Sequence, residues 1–306
     1  MTCHGILLKV LLNFFQKIAG VGRAHGFNVL CCKIFLCIIY SKNEFFILGD
    51  FVIMHDILSK LIIICPLTFI AGFIDSVAGG GGLISLPAYM AIGLPPHIAT
   101  GTNKCSSTFG TMLAAWTFFK SGKIHIKTAL FSAAAALFGS WIGAMLNMIA
   151  DDSILRMVLM LTVPVVAIFV IFKRDFGSRD RTGEFSKLKL SLITTVIGFV
   201  IGCYDGFFGP GTGTFLILGF TVFAGFDLLT ASGNAKVVNL ASNIAAFVTF
   251  AVSGQILWAI GIPGAVFGIA GNLIGSKLAL KKGTKFIKPM FIVILTILFI
   301  KVFIMK

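Results

Sequence analysis

Long apolar runs recur along the chain, and two of them end alike, with an aspartate and, four residues on, a glycine-rich break. The first reads Gly72-Phe73-Ile74-Asp75-Ser76-Val77-Ala78 and continues into Gly79, Gly80, Gly81 and Gly82. The second reads Gly202-Cys203-Tyr204-Asp205-Gly206-Phe207-Phe208 and continues into Gly209-Pro210-Gly211-Thr212-Gly213. A run of ~20 apolar residues crosses a bilayer as a helix. Lipid then forces every backbone polar group to be satisfied within the protein. These runs restrict the chain to an all-α polytopic membrane protein whose helical path is interrupted twice. Composition agrees: 58% of residues are hydrophobic and 12% charged, about half the charged share of soluble domains. The alternating pattern of a membrane barrel is absent.

The pairing extends downstream. Thr100-Gly101-Thr102-Asn103-Lys104 answers Thr230-Ala231-Ser232-Gly233-Asn234-Ala235-Lys236, and Ser121-Gly122-Lys123-Ile124 answers Ser253-Gly254-Gln255-Ile256. The offset grows from 130 to 132 residues, so two single-residue insertions relate the copies. The chain reads as two homologous repeats, residues 57–172 and 188–305, joined by a basic linker, 173–187. Each repeat predicts four long helices and one short broken helix after the glycine-rich break. The first comprises 57–77, the short 83–92, then 97–119, 125–149 and 152–172; the second comprises 188–206, the short 214–224, then 228–252, 256–280 and 286–305. A helix of ten residues spans ~15 Å, half of the ~30 Å hydrocarbon core. Residues 1–53 have no counterpart in the second repeat and read as an atypical N-terminal extension. They hold either a weak extra span or a start-site miscall, with Met54 as the true start.

The net charge of +14 comes from lysines and arginines gathered between the apolar runs. That is the way topology is encoded, not a nucleic-acid footprint. If the linker and the loop carrying Lys281, Lys282, Lys285 and Lys288 are both cytoplasmic, each short segment carries the chain across and the repeats are inverted. If the short segments are re-entrant, the second loop lies outside. The charges favour inversion. Seven cysteines form no paired Cys-x-x-Cys set, so neither a metal site nor a cofactor is expected.

Paired, glycine-interrupted segments in corresponding positions point to a transport site. A helix that restarts inside the membrane presents unpaired amides, which together with the helix dipole attract an anion. Candidate substrate-binding residues are therefore Gly79, Gly80, Gly81, Gly82, Gly209, Gly211, Thr212 and Gly213. Asn103, Lys104, Asn234 and Lys236 join them as hydrogen-bond donors and countercharges, with snorkelling to the interface as the alternative for the lysines. Asp75 and Asp205 either carry protons or cap the glycine turns by accepting backbone amides. Asn239, Asn243 and Asn272 read as glue between helices, and His97 and His125 as facing water. The expected partners are a small anionic solute and the bilayer.

The motifs Ala71 to Gly82, Thr102-Asn103-Lys104, Tyr204 to Gly211 and Gly275-Ser276-Lys277-Leu278 resemble the sulfite exporter TauE/SafE family, also called TSUP, and within it a YfcA-like bacterial branch. The resemblance covers about residues 57–305. It implies a multi-pass bacterial inner-membrane permease for sulfite, sulfoacetate or a related organosulfur anion. The family is usually described with seven or eight spans, against ten crossings counted here. The leading expectation is a secondary transporter exporting a small anion by alternating access. No Gly-x-x-x-x-Gly-Lys-Ser/Thr loop for ATP occurs. The rivals are a cation or metal transporter, which needs several converging oxygen ligands, and an intramembrane aspartyl protease, for which Tyr204-Asp205 lacks a Gly-x-Gly-Asp partner.

Overall fold

The structure, a computed structural model, describes residues 44–289 apart from 156, 159–176, 178, 284 and 288, with side chains from residue 56 onward. The chain divides at Asp56 into two units. Of the first, residues 44–56 are described and helical. The second holds everything considered below.

Every regular element among the described residues is helical. α1 (Glu44–Ala78) leads through the first break to the short α2 (Gly82–Ala91). α3 (Pro96–Lys120) and α4 (Ile126–Ile149) follow. α5 (Lys187–Phe207) leads through the second break to the short α6 (Thr212–Val222), then α7 (Leu228–Val252) and α8 (Trp258–Lys282). The expected limits hold to within about two residues, apart from the start of α1. The spans expected at 152–172 and 286–305 lie outside the described residues, except for helical residues at their starts.

Local chemistry sets the ends. Pro95 adopts an extended backbone and Pro96 opens α3, where the missing amide costs nothing. Asp227 caps α7 by accepting from the amides of Leu229 and Thr230 at 3.0 and 3.1 Å. Gly79 and Gly211 stand at φ +79° and +82°, a left-handed turn open to glycine at little cost.

Five described helices are long and apolar enough to cross a membrane. α3 is not among them, although its 25 residues reach ~37 Å. The reason is its inner face: Thr100, Thr102, Asn103, Lys104, Ser106 and Thr108 are all buried. The molecule is inside-out relative to a soluble protein, with Ile62, Leu130, Phe131, Leu188 and Val266 exposed on its flanks and hydroxyls and amides within. Glycines let the helices touch. A Cβ on Gly139 of α4 would lie 3.0 Å from the amide of Cys203 on α5, and one on Gly271 of α8 would lie 2.8 Å from that of Phe73 on α1.

Candidate functional site

The two breaks meet. The Thr214 amide donates to Gly79 O at 3.2 Å and its hydroxyl donates to Ala78 O at 2.9 Å. A Cβ on Gly79 would lie 2.6 Å from the Cα of Gly213, so this approach requires glycine. Tyr204 steadies the second break by donating its hydroxyl to Pro210 O at 2.6 Å.

Two buried ion pairs each tie a helix that ends at a break, α1 or α5, to a long helix of the other half. Lys104 Nζ of α3 lies 2.7 Å from Asp205 Oδ1 of α5, with both side chains 2% exposed. Lys236 Nζ of α7 lies 3.0 Å from Asp75 Oδ2 of α1 and also donates to the Asp75 carbonyl. The lysines therefore do not snorkel, and the aspartates do not cap the glycine turns through their carboxylates. Gly79 N donates instead to the backbone carbonyl of Asp75. Burial selects this pairing, since an uncompensated charge at this depth is far costlier than a paired one.

The two aspartates differ in their further donors. Asp205 also accepts from Thr212 Oγ1 at 2.7 Å and Ser242 Oγ at 2.6 Å. Asp75 is 13% exposed, and among the described residues its partner Lys236 is the one hydrogen-bond donor to its carboxylate. Each carboxylate has its own lysine, unlike a dyad that shares one proton.

A cavity of about 20 Å³ lies at the junction, lined by Asp75, Gly79, Gly82, Asn103, Lys104, Ser107, Asp205, Gly209, Thr212, Gly213, Asn239 and Asn243. It gathers most of the residues expected from the sequence. Gly81 lines an adjoining cavity of about 30 Å³ with Asp75 and Gly82. Asn103 Oδ1 accepts from Ser85 Oγ at 2.6 Å, and Asn243, expected as glue, accepts from Lys104 Nζ at 3.0 Å. Neither Gly80, Gly211 nor Lys236 lines these cavities.

Asn234 stands apart from the breaks. Its Oδ1 accepts from the His125 amide at 2.8 Å and pins the turn between α3 and α4. The residue 132 positions earlier, Thr102, does the same for Leu257: its hydroxyl accepts from the Leu257 amide at 3.0 Å. His97 is also tied down, with Nδ1 3.2 Å from Asn147 Oδ1 and Nε2 3.2 Å from Asp152. Nothing in the sequence sets Ser242 and Ser85 apart from other serines. A hydroxyl on a helix usually bonds its own backbone, so only their partners distinguish them.

Residues 64–302 match the family described as sulfite exporter TauE/SafE. The chain belongs to this family. A probable membrane transporter protein, ORF9, of Sinorhizobium sp. is 37% identical over 226 residues, covering 74% of this chain and 85% of the relative. Probable membrane transporter proteins of Haemophilus influenzae and Escherichia coli, the latter YfcA, are each 36% identical over 225 residues. Those alignments cover 74% of this chain and 87% and 82% of the relatives. No solved structure matches. This TauE/SafE chain is accordingly a multi-pass membrane transporter.

Proposed function

We propose that the protein is a secondary transporter that exports a small anion, sulfite or an organosulfonate, across the bacterial inner membrane, without catalytic chemistry. The observation that carries this is the meeting of two glycine breaks beside two buried lysine–aspartate pairs. An anion entering the junction competes with the carboxylates for Lys104 and Lys236. The starts of α2 and α6 add positive helix ends. Two pairs, each joining elements from different halves of the chain, suit a site whose halves rock against each other.

The duplication supports the same reading. Contacts recur at the spacing of the repeats: Gly139 on α5 and Gly271 on α1, Asn234 with His125 and Thr102 with Leu257. The sulfur-oxyanion class follows from the family description, and export follows from its name.

The test is flux in proteoliposomes loaded with a panel of sulfur oxyanions. Saturable movement of sulfite or an organosulfonate, abolished in Lys104→Met, is expected. Movement of a cation with no oxyanion flux would overturn the reading.

A further inference from the structure

The adjoining cavity, beside the first break, is lined by Thr68, Ala71, Gly72, Asp75, Gly81, Gly82, Ser85, Ser106, Ser107, Gly268 and Asn272. The hydroxyls among its polar side chains have their hydrogens committed elsewhere. Thr68 donates to Ile64 O at 2.9 Å, Ser85 to Asn103 Oδ1 at 2.6 Å, and Ser106 and Ser107 to Asn103 O at 3.0 and 2.8 Å. Asn272 donates one Nδ2 hydrogen to Gly268 O at 3.0 Å, which orients its amide and its Oδ1. That oxygen makes no hydrogen bond in the protein, on a residue 2% exposed. What the hydroxyls and Asn272 Oδ1 have left to offer is oxygen lone pairs. A buried acceptor without a donor is costly, and Asn272 Oδ1 lining the same cavity as the Asp75 carboxylate calls for a cation.

We infer that this cavity binds a monovalent cation of sodium size, and that its binding to Asp75 releases Lys236 to meet the transported anion. Hard cations take oxygen ligands from carboxylates, amide carbonyls and hydroxyls. In broken-helix transporters such ligands gather where the backbone unwinds. One carboxylate suits a single charge. Among the described residues no cluster of three His, Cys, Asp or Glu exists that would hold a transition metal.

The second half shows how the need is met without an ion. There Thr212 and Ser242 donate hydroxyl hydrogens to Asp205. The positions 130 and 132 residues earlier carry Gly82 and Gly110. Neither can donate from a side chain. A Cβ on Gly110 would lie 3.1 Å from Asn272 Cγ and closer still to its Nδ2, so the Asn272 amide fills the space that a side chain would take there. The cation takes up the coordination that hydroxyls supply to Asp205, and Asp75 is the aspartate of the two with room for it.

The cation site stands on its own geometry, and only the coupling step rests on the anion reading. The experiment is a titration of the purified full chain with sodium chloride, with choline chloride holding ionic strength constant, followed by thermal melting. A saturable rise in Tm with sodium is expected, with the half-saturating concentration raised roughly tenfold or more in Asn272→Ala and Ser107→Ala. Melting of both variants in choline alone reports whether they fold. A wild-type response to pH but not to sodium would overturn the inference, as would variants that fold and titrate like wild type. Sulfite is titrated separately in choline and in sodium. Roughly fivefold or more tighter sulfite binding in sodium is expected, and equal affinity would overturn the coupling. Sodium binding without sulfite binding would instead sink the anion reading alone.

Discussion

Lys104 and Asp205 face each other at 2.7 Å, although they belong to different halves of the chain and lie 101 residues apart. Asn243 takes another hydrogen of the ammonium, and Thr212 and Ser242 complete the carboxylate. The pair is a link in a polar network, with both side chains 2% exposed.

Removing one partner leaves the other charge buried and uncompensated. Lys104→Ala should therefore destabilise the protein by about 3–5 kcal/mol, and Lys104→Met with Asp205→Leu should recover most of it. Thermal melting of the single and double variants in detergent checks this. Additive losses would show that the two groups do not interact.

The contact between the breaks depends on a missing side chain. Gly79→Ala should abolish folded, inserted protein, because the new Cβ meets Gly213 and Thr214 backbone. Gly93→Ala, at a similarly positive φ but with nothing within 4 Å, should cost only about 1 kcal/mol. Size-exclusion profiles and melting of the two variants separate packing from backbone strain.

Thr214→Val removes the hydroxyl that donates to Ala78 O while keeping the shape. The loss should be about 1 kcal/mol in stability. Flux should fall with it if the junction must stay registered between halves. A variant with normal flux and lowered Tm would make this bond purely structural.

Asn234 and Lys236 lie two residues apart on α7 but serve different ends. Asn234→Ala should lower Tm by releasing the His125 amide and leave the KM for the transported solute unchanged. Lys236→Met should raise that KM. Transport assays on both variants, at matched amounts of folded protein, distinguish the two.

Helix limits and breaks were legible in the sequence, because apolar run length and glycine punctuation are local signals. Partner choice was not. Lys104 and Lys236 occupy equivalent positions, which suggested a shared duty toward an external anion. In the buried interior each also meets a carboxylate from the opposite half, which no local signal announces. Asn103 and Asn234 looked like counterparts by type, yet the repeat offset sets Asn234 against Thr102, and both of those pin turns. The polar face of α3 made it less apolar than the other spans, although it carries Lys104.

The tethered turns have a practical corollary for anyone who labels this protein. Hairpin tips are ordinarily the safest places for insertions, but here the His125 and Leu257 amides are fastened to Asn234 and Thr102. Extra residues at 122–124 or 254–256 would unseat α4 or α8 from its neighbour. Gly183, exposed with no atom near its absent Cβ, offers an epitope a position that leaves both fasteners undisturbed.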